Sequence, residues 1–523
     1  MVPLSDVAAL KGALREITTP FWVIRKNGQL ALGRGGQPGN SGDPIVGLIP
    51  AVSPISLGDG HFRSDHGLKY AYVSGGMATG IGSVDIVEAM ARAGMLGIYG
   101  AAGVPMERVE QAVHEVQQRV GHLPYGFNFI HSPNELGREK AIADLYLSRG
   151  VHLAESSAFL DLTYEIVRYR TAGIHQAADG QIVTPNRLIA KVSRVEVATR
   201  FFSPPPEKFL SSLVQKGELT QQQAQLAAKI PMAEDVTAEA DSGGHTDNRP
   251  LVALLPTLLS LRDRMQEVHQ YAKPLRVGAA GGIATPLGTA GAFALGASYV
   301  MTGSIHQACL EAGTSSAVKQ MLAEADQADC TMCPAADMFE LGVKVQVLKR
   351  GTMFAMRASK LYELYRSYPS MEALPDRERQ TLEQTVFRMP LQQVWQQTRE
   401  FFQRRDPAQI ERAERDPKHQ MALVFRWYLG QSSRWATSGD PERRLDYQVW
   451  SGPAMGAFNE WTRGTFLADP QARKVGTVAR NLLYGAAYFQ RLQILQLHAG
   501  SLPATIRAVV PQTDDELQAV YAF

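Results

Sequence analysis

The 523-residue chain is too long for one compact core of ordinary size, so we expect a large domain with a substantial addition. Hydrophobic residues make up 45% and charged residues 20%, which excludes wholesale disorder, and a formal net charge of +2 gives no global nucleic-acid signal. Three cysteines exclude a disulfide framework and favour a reducing, cytoplasmic compartment; the single CxxC pair is too small for a zinc site, so no metal is expected.

Residues 1–68 are predicted to form an irregular segment packed over the main domain, with a Gly/Pro-rich loop at 33–44. From residue 69 onward, short apolar runs end in glycine or a small polar residue, and each is followed by a helical stretch. The eight runs are 70–76, 95–102, 125–130, 151–157, 187–193, 235–240, 276–282 and 298–304. Strands of this kind are typical of a parallel sheet buried on both faces. Eight such units favour an α/β fold of the closed (β/α)8 barrel type over an open doubly wound sheet, across residues 69–360.

Two stretches depart from this alternation. Residues 203–231, between the fifth and sixth runs, open with three prolines and contain two short helices hinged at Gly217. They predict either a lid over the barrel mouth or a solvated helical pair that moves little. After about residue 360 the glycine-ended strands cease, and helical periodicity predicts a mostly helical C-terminal region, 361–523. The uncharged stretch 277–310 is broken by glycines and a proline, so it does not predict a membrane-spanning helix.

The loops after the seventh and eighth strands of a (β/α)8 barrel commonly bind phosphate groups. Here these loops contain Gly281 and Gly282, and then Gly303 and Ser304. Paired glycines let backbone N–H groups approach phosphate oxygens, with help from the following helix N-terminus. The alternative is that these glycines serve only tight strand-to-helix turns.

Four other strand ends offer groups suited to a flat ring. The glycine pair 75–76 and Met77 would place backbone and a thioether against an apolar ring edge, and Asn128 carries an amide that can pair with ring polar atoms. Glu155 and Lys191 end the fourth and fifth strands. A lysine at the end of a buried strand needs an anionic partner, which is either an electron-rich ring edge or Glu155 itself.

The stretch EADSGGHTDNRP, residues 239–250, follows the sixth strand. We interpret Gly243 and Gly244 as residues that let the chain pass close to a flat ligand. His245 would then lie over the reacting face and donate a proton or a hydrogen bond. The alternative is a structural histidine. Asp241 and Asp247 are interpreted as capping or positioning residues.

A basic cluster lies between the barrel and the helical region. Its cations are Lys344, Lys349, Arg350, Arg357, Lys360 and Arg366, against one acid, Glu363. Such clusters are usually solvated faces. We also consider that Lys349, Arg350, Arg357 and Lys360 dock an acidic partner, because opposite charges steer encounter.

The phrases SGGMATGIGS, GFNFIHSP, IAKVSR, EADSGGH, AAGGIATP and VMTGSIHQ occur in order and resemble the FMN-dependent superfamily of nitronate monooxygenases and flavin enoyl reductases. Further phrases, such as CPAADMFELGVKVQVLKRGTMFAMRASKLYELY and DPKHQMALVFRWYLGQSSRWA, resemble the trans-acting enoyl reductases of bacterial polyketide and polyunsaturated fatty acid synthases. The resemblance extends over nearly the whole chain, from about Thr19 to about residue 500.

The resemblance implies an FMN-bound barrel in which NADPH reduces the flavin. The flavin then passes hydride to the β-carbon of a trans-2-enoyl thioester on an acyl carrier protein, and a proton goes to the α-carbon. It also implies His245 as the catalytic residue and polyketide or fatty acid synthase modules as partners. A homodimer through the helical region is a separate hypothesis.

The strand ends and the resemblance together give the expected cofactor contacts. They are Gly75, Gly76, Met77, Asn128, Glu155, Lys191, Ser242, Gly243, Gly244, Gly281, Gly282, Ile283, Thr302, Gly303 and Ser304.

Two alternatives to the enoyl reductase stay open. One is a nitronate monooxygenase with the same fold and FMN, His245 as base and O2 as oxidant; the long helical region and basic cluster argue against it. The other is an FMN-containing docking subunit of a synthase, against which the histidine and the lid-like insertion argue.

Overall fold

Eight parallel strands close into a barrel, which confirms the predicted fold class. The computed structural model describes residues 2–521 except 36–42, 134 and 136. Numbered first to eighth below, the barrel strands are Tyr72–Ser74, Leu96–Tyr99, Gly126–Ile130, Leu153–Ser157, Arg187–Val192, Asp235–Glu239, Arg276–Ala280 and Val300–Thr302. Every residue of the fourth and seventh strands is buried, as expected for strands covered on both faces.

Seven helices follow the first seven strands on the outside of the barrel. They are Val84–Arg92, Met106–Val120, Arg138–Arg149, Tyr164–Thr171, Val195–Phe202, Leu251–His269 and Pro286–Ala294. Because each strand leads directly into its helix, all eight strand carboxyl ends lie on one side of the barrel, which we call the mouth.

The N-terminal segment is not irregular, so that prediction was wrong. It forms the helix Val7–Arg15 and a four-stranded antiparallel sheet. The strands of this sheet are Val2–Pro3, Phe21–Lys26, Gln29–Arg34 and Ile45–Ile49. Asn27 and Gly28 join two of them in a two-residue turn, and both have positive φ, 49° and 80°. Asn-Gly between alternating apolar residues is the usual signal of such a hairpin. Most of the loop predicted at 33–44 lies outside the described residues.

The insertion 203–231 does not lie where a lid would. Its two helices, Glu207–Gln215 and Gln221–Ala227, follow the helix Val195–Phe202 and precede the sixth strand, and they pack on Tyr164–Thr171. A connection that runs from a helix to the next strand lies at the amino ends of the strands, opposite the mouth. The lid prediction was therefore wrong, and a helical pair packed on the flank is what the structure contains.

The eighth barrel helix comes from far along the chain. After the eighth strand the chain makes two short helices, Ser304–Gln307 and Ser316–Ala323, and leaves the barrel. The long helix Val475–Ala499 then packs against both Pro286–Ala294 and Val84–Arg92, the outer helices on either side of the gap. The region 361–523, predicted to be mostly helical, does consist mainly of helices, and one of them packs on the barrel from outside the range 69–360 predicted for it.

Between these points the chain builds a second hydrophobic core, from Cys333 to Leu429. We call residues 330–452 the inserted unit. It begins with the antiparallel strands Cys330–Pro334 and Lys344–Leu348. Its helices are Phe354–Ser367, Asp376–Thr381, the π-helix Leu382–Phe387, Leu391–Arg405, Pro407–Arg415, Pro417–Ser438 and the 3-10 helix Pro441–Asp446.

The remaining elements are short. The helices are Gly60–His66, Ala454–Thr462 and Asp514–Tyr521, and the strands His175–Gln176 and Ile182–Val183 form a hairpin. The 3-10 helices outside the inserted unit are Pro54–Ser56, Gln327–Asp329, Phe466–Ala468, Pro470–Ala472 and Ala504–Arg507. In the part of the chain that the structure describes, no helix is both long and apolar enough to cross a membrane.

Close packing of the eighth helix depends on Gly485. A Cβ added there would lie 2.4 Å from Cβ of Pro286, at the start of the seventh helix. We expect Gly485→Ala to lower the free energy of unfolding by about 1–3 kcal/mol, because the two helices must move apart. The thermal unfolding midpoint of the purified protein measures this loss.

Gly430→Ala is the matched control. Gly430 also lies inside a long helix, Pro417–Ser438, but an added Cβ would find no heavy atom within 4 Å. This substitution should raise stability by about 0.5–1 kcal/mol, since alanine is the better helix former. Equal midpoints for Gly485→Ala and the unmutated protein would show that Val475–Ala499 is not packed as the eighth helix.

Candidate active site

Polar side chains from four consecutive strands meet at the mouth. Nδ2 of Asn128, in the third strand, lies 3.0 Å from Oε2 of Glu155, in the fourth. Nζ of Lys191, in the fifth strand, lies 3.8 Å from the same Glu155 oxygen and 3.2 Å from Oε1 of Glu239, in the sixth. Three of these residues were predicted as ring contacts, and the structure brings them together.

Glu155 also holds the loop that follows the first strand. The backbone N–H of Gly76 donates to both carboxylate oxygens of Glu155, at 3.1 and 3.2 Å. A Cβ on Gly76 would lie only 2.6 Å from Glu155 Oε2 and 3.0 Å from Cβ of Asn128. Glycine is thus required here by the close approach of the fourth strand's carboxylate, which places the 75–77 loop beside the polar cluster.

Lys191 is charged within this cluster. Its side chain is 13% exposed, while that of Glu155 is fully buried. Burial favours the neutral amine, but the carboxylates of Glu155 and Glu239 outweigh it and hold the pKa of Lys191 above its usual value. The alternative that Lys191 neutralises an acidic neighbour therefore has direct geometric support, and contact with a ring edge stays a prediction.

The glycine loop after the seventh strand has the shape of a cradle. Gly281 and Gly282 both have positive φ, 85° and 72°. A Cβ on Gly281 would collide with the carbonyl carbon of Ala240 at 2.6 Å, whereas one on Gly282 would find no atom within 4 Å among the described residues. The first glycine thus serves packing, and the second borders open space. The Ile283 side chain is buried in the core, so this residue can offer a ligand only its backbone.

The loops after the eighth and first strands lie side by side. A Cβ on Gly303 would meet Cγ of Met77 at 3.9 Å. Ser304 begins the short helix after the eighth strand, and its Oγ accepts a bond from the Gly452 N–H at 3.4 Å. These predicted phosphate-loop residues are therefore near the predicted ring contacts, and the inserted unit touches the same loop.

The hydroxyl of Thr302 takes part in a buried hydrogen-bond network. Its hydroxyl lies 2.8 Å from the Tyr72 hydroxyl and 3.2 Å from Nε2 of His306, while Nδ1 of His306 lies 2.8 Å from the Ser74 hydroxyl. Burial lowers the pKa of His306 to about 3, so the ring is neutral. Gly75 N–H donates to the Thr302 carbonyl at 3.1 Å. Thr302 therefore joins the first and eighth strands through its hydroxyl and carbonyl groups, and its contact with a cofactor stays a prediction.

Ser242 supplies an unsatisfied polar atom near the sixth strand. Its hydroxyl is buried and has no hydrogen-bond partner among the described residues. A buried hydroxyl without a partner is costly and commonly marks a place where a ligand or water binds. Together with the open space at Gly282, it shows that the residues present fit a phosphate-bearing cofactor.

The Gly243-Gly244 pair has a structural reason for its composition. A Cβ on Gly243 would lie 2.8 Å from the backbone N and Cα of Ser451, in the inserted unit, and Gly244 has φ of 82°. The close approach is therefore to the inserted unit. Approach of this pair to a flavin stays a prediction.

His245 lies just past the sixth strand, as predicted, and is held by the inserted unit. Gly244–His245 forms a short strand antiparallel to Lys344–Leu348. Nε2 of His245 lies 3.0 Å from Oδ2 of Asp337. Burial lowers the pKa of His245, but the hydrogen bond to Asp337 and the negative charges of Asp337 and Glu239 together outweigh it, so the pKa is raised above its ordinary value. The imidazole is thus prepared to carry a proton.

The two aspartates of this loop are positioning residues, as interpreted from the sequence. Asp247 accepts bonds from the Ser193 hydroxyl at 2.6 Å and from Nε of Arg194 at 3.0 Å. Asp241 accepts from Asn248 and from Gln346, both at 2.8 Å.

Sequence reasoning missed Glu239, Asp337, Gln346 and His306. Glu239 is the last residue of the sixth strand, so strand-end position was an available signal. His306 lies in the quoted phrase VMTGSIHQ, four residues after Thr302 at helical spacing. Asp337, which bonds His245, and Gln346, which bonds Asp241 and Ser242, are distant in sequence from this loop, and no local pattern indicates these contacts.

The basic cluster is smaller than predicted. Arg357 pairs with Asp446, whose side chain is fully buried and also accepts from the Tyr428 hydroxyl at 2.7 Å. A buried carboxylate needs such partners, so Arg357 belongs to the core of the inserted unit and its assignment to a docking surface was wrong. The remaining predicted docking residues are exposed to differing degrees. They are Lys349, Arg350, which lies 3.3 Å from Asp329, and Lys360, which lies 3.1 Å from Glu378.

Two family models match the chain. A model described as nitronate monooxygenase matches residues 64–361. A model of the inserted helical domain of [acyl-carrier-protein] S-malonyltransferase matches residues 368–447, which lie in the inserted unit.

Two curated relatives are long synthase proteins. A component of the polyunsaturated fatty acid synthase of Thraustochytrium sp. is 45% identical over 504 residues, which are 94% of this chain and 33% of that protein. Polyketide biosynthesis protein PksE of Bacillus subtilis is 44% identical over 84% of this chain and 56% of its own length. The chain therefore spans about a third to about half of the length of these relatives.

A solved structure matches over its whole length. The enoyl reductase domain of MlnA, from the macrolactin biosynthesis cluster of Bacillus amyloliquefaciens, has a TM-score of 0.80 and 38% identity and covers 84% of this chain and 99% of its own. FabK from Thermotoga maritima shares the fold, with a TM-score of 0.50 and 18% identity over 83% of this chain and 98% of its own. The chain therefore belongs to the nitronate monooxygenase family, in a group that includes the MlnA enoyl reductase domain and parts of polyketide and polyunsaturated fatty acid synthase proteins.

Proposed function

We propose that the protein is a trans-acting enoyl reductase that uses FMN and NADPH to reduce the α,β double bond of trans-2-enoyl thioesters carried on acyl carrier protein. The observation that carries this proposal is the similarity to the MlnA enoyl reductase domain, which covers 84% of this chain and 99% of that chain at 38% identity. The mouth supports it, because His245 and the glycine loops after the seventh and eighth strands all follow strand ends on the same side of the barrel.

The residues at the mouth divide the task of holding FMN. Backbone N–H groups at Gly282 and Gly303 and the unpartnered hydroxyl of Ser242 would take the phosphate. The loop of Gly76 and Met77 would border the ring. When bound, FMN would supply the redox chemistry, taking hydride from NADPH and giving it to the β-carbon of the enoyl thioester.

The chain itself would supply the proton and the orientation. Hydride addition at the β-carbon leaves an electron pair that takes up one proton at the α-carbon, so one acid completes the reaction. His245 would give that proton, because its pKa is raised above the ordinary value by Asp337 against the opposing effect of burial. The polar cluster of Asn128, Glu155 and Lys191 would fix the ring-side loop through Gly76.

Acyl carrier protein is the proposed partner, with synthase modules as its source. The relatives of this chain are a polyunsaturated fatty acid synthase component and a polyketide biosynthesis protein, in which a carrier-bound substrate is expected. Lys349 and Lys360 would favour encounter with an acidic carrier through long-range attraction, and added salt would weaken it.

The deciding experiment follows the visible spectrum of purified protein without oxygen. NADPH should bleach the flavin band, and crotonyl thioester on a carrier protein should restore it; NADH added in place of NADPH measures the nucleotide preference. A flavin that stays oxidised with NADPH would contradict the proposal.

The same sample distinguishes the two alternatives. The match to the nitronate monooxygenase model supports testing a nitronate with oxygen, whose consumption without nicotinamide would establish that activity in place of the reductase. Carrier binding with no turnover in the unmutated protein would instead establish a docking subunit.

A further inference from the structure

We propose that Asp337, contributed by the inserted unit, is the positioning residue of His245 and decides which ring nitrogen delivers the proton. The inference rests on the proposed function, because it assigns a role in the same site. In this proposal the barrel and the inserted unit both contribute residues to the active site.

The carboxylate of Asp337 makes a hydrogen bond to its own loop in addition to the one to the imidazole. Its Oδ1 accepts a bond from the backbone N–H of Met338 at 3.1 Å, and its Oδ2 lies 3.0 Å from Nε2 of His245. One oxygen of the Asp337 carboxylate is thus bound to its own loop and the other to the imidazole ring. The imidazole plane is fixed in turn, as in other histidines that a carboxylate orients.

The backbone that carries His245 is held by the same unit. His245 pairs with Val345 in the antiparallel register of the short strand. Gln346 donates from Nε2 to Oδ1 of Asp241 at 2.8 Å and to the carbonyl of Ser242 at 2.7 Å. The loop that follows the sixth strand is therefore bound to the inserted unit by backbone pairing at the histidine and by the Gln346 side chain at the residues before it.

The charged groups that face His245 come from both units. Asp337 lies in the inserted unit, and Glu239 and Lys191 lie at the mouth of the barrel. Glu239 is engaged by Lys191 at 3.2 Å, so Asp337 is the acid that bonds the ring directly. Because Nε2 is occupied by Asp337, Nδ1 is the nitrogen left to hand a proton to the substrate.

Asp337→Asn tests the proposal, because asparagine keeps the size and an oxygen acceptor but removes the charge. NMR titration of labelled histidine rings gives the first readout and needs no turnover. Among the 12 histidines of the chain, the His245 signal is the one lost in His245→Gln. In Asp337→Asn the pKa of His245 should fall, and the step that restores the flavin band should slow by about ten-fold with its pH profile displaced to lower pH.

Two further variants separate positioning from general damage. Glu340→Gln removes a carboxylate from the same loop, where Glu340 lies 3.3 Å from Arg426, and it should leave the His245 pKa unchanged. Asp337→Glu restores the charge and should recover part of both the pKa and the rate.

An unchanged His245 pKa in Asp337→Asn would overturn the proposal, as would an equal shift in Glu340→Gln. Failure of the proposed function gives a different result, since the unmutated protein would then show no turnover while its histidine titration still responds to Asp337.

Discussion

Substitution of His245 by alanine is expected to lower the rate of enoyl thioester reduction by about 100-fold or more, the usual contribution of a positioned general acid. Flavin content and bleaching by NADPH should not change, because the predicted phosphate loops do not include this side chain. Rapid mixing of the reduced protein with the enoyl carrier isolates the affected step.

The pH dependence of the reduction rate provides a second measurement of the role predicted for His245. Burial lowers and Asp337 raises the pKa of His245, with a net rise above the ordinary value. The protonated ring is the acid, so the rate in the unmutated protein should be full at lower pH and decline as the pH rises through this raised pKa. His245→Ala should lose that decline, whereas His175→Ala, in the exposed hairpin, should keep both rate and profile. An unchanged rate in His245→Ala would mean that solvent supplies the proton.

The barrel could be predicted from sequence because each of its strands has a recognisable local sequence pattern. A strand buried on both faces must be apolar along its length, and its junction with a helix needs a tight turn. Eight such runs that alternate with helices are compatible with few folds other than a closed barrel. The position of His245 follows from the same logic, since residues just past a barrel strand lie at the mouth.

What the sequence does not reveal depends on contacts between distant segments. Helical periodicity in 475–499 predicts a helix, but only its packing against Pro286–Ala294 and Val84–Arg92 in the folded chain shows that it completes the barrel. The roles of Asp337 and Arg357 are hidden in the sequence for the same reason. Asp337 contacts His245, and Arg357 contacts the buried Asp446, only once the inserted unit has folded. The misplaced lid is a different error, since a segment that follows a helix and precedes a strand already belongs to the far end of a barrel.

Lys191→Met is expected to lower the free energy of unfolding at neutral pH by about 3–5 kcal/mol, the range found when one partner of a buried ion pair is removed. Methionine fills the space of the lysine stem, so the loss of unfolding free energy measures the effect of removing the positive charge. Among the described residues, it leaves the fully buried carboxylate of Glu155 with the amide of Asn128 and the N–H of Gly76 as partners, beside Glu239 of the same sign. Chemical unfolding followed by tryptophan fluorescence measures the difference.

The sign of the pH dependence separates this effect from lost packing. Burial favours the neutral amine and the two carboxylates outweigh it, so the pKa of Lys191 lies above its usual value. Its stabilising contribution is then fully present below the pKa of a free lysine, about 10.4, and is lost only at more alkaline pH. The deficit of Lys191→Met should therefore be constant from neutral pH to about pH 10 and narrow at more alkaline pH, where the amine of the unmutated protein loses its proton. A packing defect would stay the same size across that range.

Lys140→Met supplies the control at the surface. Nζ of Lys140 lies 2.6 Å from Oδ2 of Asp144, closer than Lys191 lies to either glutamate, but its side chain is 64% exposed. Exposed pairs contribute about 0–1 kcal/mol because water solvates each partner when the other is removed. The shorter ion pair, Lys140–Asp144, should thus contribute less to the free energy of unfolding than the longer pairs of Lys191. Burial of the charge that remains after the substitution decides how much stability is lost. Equal losses in the two variants would show that the carboxylates at the mouth reach water, and the cluster would then serve the ligand more than the fold.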